Sequence, residues 1–134
     1  MTDDERARFD ALLEGVLSAL PEQVMALLDE VPLIVLDEPT PDILRSLDVP
    51  EERWETEART LCGLHSGYSL LERSVEVSGE LPEQIHLFRR GTVHAAGGWH
   101  DERTLVGEIR ITVLHEIGHH FGLDEEDLEQ LGFG

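Results

Sequence analysis

The sequence predicts an α+β fold in one domain that spans residues 1–134. Helical apolar patterns occur near both ends of the chain, and two short strand-like runs lie between them. The chain of 134 residues is long enough to bury one hydrophobic core and too short for two. Since no internal repeat is visible, we expect helices that flank a small sheet.

The N-terminal part is predicted to contain two helices and a buried strand. Apolar residues recur at helical spacing from Asp3 to Leu20, and Pro21 ends this pattern. A shorter helix is expected from Glu22 to Glu30, and the run Leu33 to Leu36 is typical of a short buried strand. The polar segment from Asp42 to Glu57 has only a weak helical pattern, so we expect a mobile surface insertion there.

Two segments in the middle of the chain are predicted to be extended. Alternation and two glycines between Leu61 and Ser69 indicate a bent strand or a strand followed by a turn. Apolar and polar residues also alternate from Gln84 to Arg90, and Gly91 follows this run. The second segment therefore has the clearest strand pattern after Leu33 to Leu36.

The C-terminal part is predicted to contain a long helix. Asp101 is a suitable N-cap for a helix from Glu102 to Phe121, and Gly122 is a suitable residue to end it. The acidic segment from Asp124 to Leu131 is expected to add one or two helical turns.

The charge balance excludes several classes of partner. Ten Lys and Arg residues oppose 29 Asp and Glu residues, for a formal net charge of −19. Such a surface repels phosphate backbones and anionic lipids, so we expect no nucleic-acid or membrane partner.

No secretory signal precedes the first helix, and Cys62 is the only cysteine. We therefore expect a cytoplasmic protein in a reducing compartment.

The run His115-Glu116-Ile117-Gly118-His119 lies in the predicted long helix and indicates a metal site. Histidines four residues apart project from one helix face, where they can occupy two positions of a tetrahedral zinc shell.

A helical wheel separates this ligand face from the packing face. With Leu105 at zero, His115 and His119 fall at about 280° and 320°, whereas the apolar residues fill an arc from about 0° to 180°. Glu116 lies beside the histidine face, a position that suits a general base rather than a ligand. His120 points into the apolar arc and is expected to be buried and hydrogen-bonded.

A catalytic zinc site needs a third protein ligand and an open position for water. Gly122 can leave the helix with a positive φ and bring the following acids toward the metal. Spacing leaves Asp124, Glu125 and Glu126 open as candidates for this ligand. The alternative to a metal site is that His115 and His119 are merely exposed polar side chains of an amphipathic helix.

The run from His115 to Leu123, followed by acids and a Leu-Gly-aromatic end, resembles the small bacterial zincin-like metallopeptidases, also called mini-zincins. The segment Leu81 to Arg89 is similar to the Leu-Pro-x-x-Ile-x-Leu-Phe strand of the same family. The family is associated with the pattern His-Glu-x-x-His-x-x-Gly-x-x-Asp, whose last position falls on Glu125. The resemblance therefore implies Glu125 as third ligand; Asp124 after a shift of one residue, or two histidines alone, remain alternatives.

The resemblance also implies a minimal zincin fold, with a small twisted mixed sheet, the long helix underneath and a cleft between them. On this basis we expect Gln84 to Arg89 to be an edge strand on which an extended peptide adds. The implied activity is zinc-dependent hydrolysis of peptide bonds, with Glu116 as general base for a zinc-activated water. Candidates for an oxyanion partner are Tyr68, His100 and Arg103.

Two other functions are compatible with the sequence. One is a non-catalytic zinc-binding module, derived from a peptidase fold, that acts by binding partners. The other is a protein whose acidic surface docks to a basic partner, although acidic runs are usually solvated helix faces.

Overall fold

The computed structural model describes residues 1–66 and 84–130, which form helices around a small sheet. The helices in this part of the chain are α1 (Asp3–Ser18), α2 (Glu22–Leu28), α3 (Pro41–Ser46), α4 (Trp54–Thr60), α5 (Arg89–Ala95), α6 (Glu102–Phe121) and α7 (Glu125–Gln130). The strands are β1 (Leu33–Leu36), β2 (Gly63–Ser66) and β3 (Gln84–Phe88). The fold is thus of the predicted α+β class.

The sheet is mixed, and β3 lies at its centre in the order β1-β3-β2. β1 runs parallel to β3, with Leu33 opposite Ile85, and β2 runs antiparallel to β3, with Gly63 opposite Leu87. The prediction that the strand at Gln84 is an edge strand is therefore wrong. Because β1 and β2 pair with both of its sides, β3 has no free edge for a peptide over these residues.

The core is formed between the sheet and the apolar stripe of α6. Leu105, Ile109 and Ile117 are completely buried, as is Phe9 of α1. They pack in one cluster with Ile85 and other residues of β3 and α2. The packing face that the helical wheel predicted for α6 is confirmed.

Both ends of α6 follow the expected capping rules. The side chain of Asp101 accepts a hydrogen bond from the Thr104 N–H at 3.2 Å, and Gly122 ends the helix in the left-handed conformation at φ 69°. This conformation suits glycine because it has no Cβ.

Within the described residues, no helix is long and apolar enough to cross a membrane.

Two segments differ from their sequence-based descriptions. Residues 42–57 lie largely in α3, a 3-10 turn (Glu51–Arg53) and the start of α4, and Leu44 is buried. Most residues of this segment are exposed, as expected for a surface insertion, but the segment is more regularly helical than its weak pattern indicated. The strand at Gln84 ends at Phe88, since α5 begins directly after it.

An ion-pair cluster joins α1, β1 and α5. Asp37, which follows β1, accepts hydrogen bonds from Arg6 at 2.9 Å and from Arg89 at 3.0 Å. Arg89 also donates to Asp10 of α1. The hydrogen bonds from Arg6, followed by those from Arg89, lower the pKa of the Asp37 carboxyl below its ordinary value. This cluster holds α1 against the parallel side of the sheet.

Two glycine-to-alanine substitutions should change stability in opposite directions. A Cβ at Gly91 would collide with the backbone of Leu61 and Cys62, so Gly91→Ala should lower the free energy of unfolding by about 3 kcal/mol. A Cβ at Gly15 of α1 meets nothing within 4 Å, so Gly15→Ala should raise it by about 1 kcal/mol through helix propensity. Urea unfolding of the wild type and both variants measures these changes. If Gly91→Ala is as stable as the wild type, the close contact of α5 with Leu61 and Cys62 is contradicted.

Candidate metal centre

The structure brings His115, Glu116 and His119 together on α6. The two imidazole rings lie one helical turn apart, with centroids separated by 4.1 Å. One donor atom from each of the three residues lies within 4.8 Å of the others. Both histidines are exposed and Glu116 is buried. This arrangement presents two imidazole nitrogens and one carboxylate oxygen to an ion that approaches from solvent.

The donors of this group are suited to a divalent transition metal. Neutral imidazoles and a carboxylate are the ligand types that zinc accepts. Within the part of the chain that the structure describes, no further His, Cys, Asp or Glu joins the group. The two histidines therefore fit a metal site that needs at least one more protein ligand, and the carboxyl group of Glu116 lies beside it.

The carboxyl group of Glu116 has an unusual environment. Its side chain is 8% exposed, compared with 52% for His119, and its Oε1 lies 4.0 Å from Nδ1 of His119. Its other oxygen, Oε2, is buried and has no hydrogen-bond partner among the described residues. Burial raises the pKa of Glu116 from 4.5 to about 7. A carboxyl with this pKa can accept and release a proton near neutral pH.

Gly63 of β2 explains why Glu116 is buried. A Cβ at this position would lie 2.8 Å from Cγ2 of Thr112, 3.0 Å from Cγ of Glu116 and 3.0 Å from the carbonyl oxygen of His86. Only a residue without a side chain lets β2 approach α6 so closely. The glycine was visible in the sequence, but its partner on α6 was not.

A cleft opens beside the metal group between the start of β2 and α6. It has a volume of about 390 Å³. Its lining combines Leu61, Cys62 and Gly63 with Glu108, Ile111, Thr112, His115 and Glu116. The cleft therefore leads from the solvent to the buried carboxyl group. Its position agrees with the expected cleft between sheet and helix.

The structure limits the choice of a third protein ligand. Asp124 precedes α7, and its Oδ1 accepts a hydrogen bond from the Asp127 N–H at 2.8 Å. Neither Asp124 nor Glu126 belongs to the group of donor atoms on α6. The side chain of Glu125 lies outside the described residues, so its role as third ligand stays a prediction.

The other residues considered from the sequence have separate positions. His120 is buried at 2% exposure and packs edge-on against Phe121, so its predicted burial is confirmed. His100 and Arg103 are exposed at the N-terminal end of α6, and Arg103 is about 18 Å along the helix axis from His115. They are therefore wrong as oxyanion partners, and Tyr68 lies outside the described residues.

We expect Glu116 to destabilise the metal-free protein as the pH rises. Its folded-state pKa is raised from 4.5 to about 7, so the native state binds the proton more tightly than the unfolded chain. The resulting stability is fully present below pH 4.5 and is lost as the pH rises toward 7. Glu116→Gln should therefore be more stable than the wild type above neutral pH, by up to about 3 kcal/mol.

Urea unfolding in the presence of a chelator, at acidic and at mildly alkaline pH, measures this difference. Glu14→Gln is the matched control, because Glu14 is exposed on α1. If the free energy of unfolding changes with pH in the same way for both variants, the carboxyl group of Glu116 is not desolvated.

Comparison with known proteins agrees with the arrangement on α6. The family model described as zincin-like metallopeptidase matches residues 28–134. No curated protein matches the chain significantly. The matched region covers most of the chain and includes the sheet, the cleft and the His-Glu-His group. The chain therefore belongs to the family of zincin-like metallopeptidases.

Proposed function

We propose that the protein is a zinc-dependent metallopeptidase in which Glu116 acts as the general base. The observation that carries this proposal is the buried carboxyl group beside two exposed imidazoles, on one helix and at the end of an open cleft. A carboxyl group with a pKa of about 7 is poised for proton transfer at neutral pH. Family membership supports the same reaction class.

His115 and His119 would hold the metal, and Glu125 is the proposed third ligand. Zinc bound there would supply a Lewis acid for a water molecule and for the carbonyl group of the scissile bond. The site residues fit this role because they are one helical turn apart and face solvent. A substrate that enters through the cleft reaches them without displacement of the core.

Glu116 would handle the proton during hydrolysis. Its carboxylate takes a proton from the attacking water and later donates it to the leaving amine, so one group serves as base and then as acid. Burial against Gly63 favours this exchange, because a carboxyl group with an ordinary pKa would hold the proton too weakly to return it. The products are a carboxylic acid and an amine.

The substrate would be a peptide or protein segment in extended conformation. Among the described residues, β2 pairs only with β3, and we place the backbone hydrogen bonds of a bound peptide along its other edge. A peptide added at that edge would lie beside α6 and its carboxyl group. β2 thus takes the role that we had expected for β3. The net charge of −19 disfavours nucleic acids and anionic membranes as partners, because like charges repel.

Three variants test metal binding and catalysis separately. We expect the wild type to bind one equivalent of zinc and to cleave denatured casein. Glu116→Gln should keep the zinc and lose at least about 100-fold in cleavage rate, whereas His119→Ala should lose both. His94→Ala, which removes an exposed histidine of α5, should change neither.

Metal content by mass spectrometry and the rate of casein cleavage are the measurements. Bound zinc without Glu116-dependent cleavage would refute the catalytic proposal and favour a zinc-binding interaction module. A protein that binds no zinc would refute both functions.

Gly63→Ala should reduce catalysis without loss of the metal. The new Cβ would press on Glu116 and Thr112, so the base would shift and kcat/KM should fall by about tenfold or more. Gly107→Ala is the control on α6, because a Cβ there meets nothing within 4 Å. Steady-state kinetics with zinc analysis distinguishes the variants, and unchanged kinetics for Gly63→Ala would contradict the positioning of Glu116 by β2.

A further inference from the structure

The cleft beside the metal group has a second acidic residue at its far end. Glu108 and Glu116 both line it, and they lie on the same face of α6, two turns apart. Their Cα atoms are separated by about 12 Å along the helix axis. Thr112 lies between them, and Leu61 and Ile111 provide apolar walls. Ile111 is 60% exposed, which is unusual for a large apolar side chain.

Glu108 differs from Asp37 in its charged neighbours. It is half-buried, and no hydrogen bond or ion pair to it occurs among the described residues. Asp37, in contrast, is neutralised by two arginines. The carboxyl group of Glu108 therefore has no cationic partner within the part of the chain that the structure describes.

The charge of Glu108 acts on the inside of the cleft. Burial is the main cause that raises the pKa of the Cys62 thiol, and the charges of Glu108 and Glu116 raise it further. Cys62 belongs to the opposite wall, where its thiol lies 3.4 Å from the carbonyl oxygen of Gly91. Glu108 and Cys62 thus line the same cleft from α6 and from the start of β2.

An apolar wall that ends at an unpaired carboxylate matches one kind of side chain. Lysine and arginine combine a long apolar stem with a terminal cation, so the stem can lie along Ile111 and the cation can reach the carboxylate. A neutral side chain leaves the carboxylate unpaired, and an acidic one adds repulsion.

We propose that this end of the cleft is a subsite for a lysine or arginine side chain of the substrate, and that Glu108 is the specificity-determining residue. The inference rests on the proposed function of the cleft as the peptide-binding site. It names the substrate class as peptides with a cationic residue near the scissile bond. Glu108 contacts the substrate side chain in this arrangement and takes no part in proton transfer.

The overall acidity of the protein requires a matched control. A net charge of −19 attracts any cationic peptide at low salt, whatever the cleft contains. Glu108→Gln and Glu14→Gln remove the same charge with the same change of shape. Only the first removes a carboxylate from the cleft, because Glu14 is exposed on α1.

Binding can be measured without any cleavage. The proteins carry Glu116→Gln, which blocks turnover, and the buffer contains zinc chloride and physiological salt. The probes are a short fluorescein-labelled peptide with one central arginine and the same peptide with citrulline, a neutral analogue of equal shape. Fluorescence anisotropy gives both dissociation constants, and circular dichroism verifies that each variant is folded.

We expect the arginine peptide to bind about fivefold more tightly than the citrulline peptide. Glu108→Gln should abolish this preference, Glu14→Gln should retain it, and Glu108→Arg should reverse it. Equal affinities for the two peptides, no binding of either, or a preference that survives Glu108→Gln would overturn the proposal.

This result is independent of the proposed hydrolysis. A wild-type protein that cleaves peptides without a preference for cationic residues would refute the subsite and leave the peptidase proposal intact. A protein that binds the arginine peptide through Glu108 but never cleaves it would support the subsite and refute the peptidase proposal.

Discussion

The close approach of β2 to α6 at Gly63 is the contact on which the candidate site depends. The helix alone supplies two histidines at the correct spacing, but a carboxyl group on an isolated helix would be solvated and would have an ordinary pKa. The strand removes water from Glu116 and forms the opposite wall of the cleft. The same side chain is therefore costly for the metal-free fold and suited to the proton transfer that we propose, and such an opposition between stability and function is common at active sites.

The features that depend on local rules could be predicted from the sequence. Asp101 and Gly122 defined the ends of α6, because capping requires particular side chains or a positive φ at fixed positions. The separation between the packing face and the histidine face followed from the helical period alone. The family could be identified from the run at His115 because that spacing serves a specific coordination geometry.

The features that depend on non-local contacts could not be predicted. Alternation identified β3 as a strand, but only the pairing with β1 and β2 makes it central. α5 was missed because it begins at Arg89 without a side-chain cap, directly after the strand. The raised pKa of Glu116 depends on Gly63, and the exposure of Glu108 to the cleft depends on Leu61 and Cys62. No periodic pattern connects these residues, which are separated by more than forty positions.

The parallel pairing of β1 with β3 also affects when the chain can fold during its synthesis. Leu33 can pair only after Ile85, more than fifty residues later in the chain, has been synthesised. Likewise, α1 can complete its packing only after α6 has been synthesised, since both helices contribute to one apolar cluster. Such long-range contacts form late and slowly. The apolar core therefore cannot be completed until α6, which also carries the pair of imidazoles, has packed on the sheet. A chain cut before α6 lacks both the two imidazoles and the apolar stripe of α6, so the candidate metal group depends on the same segment that completes the core.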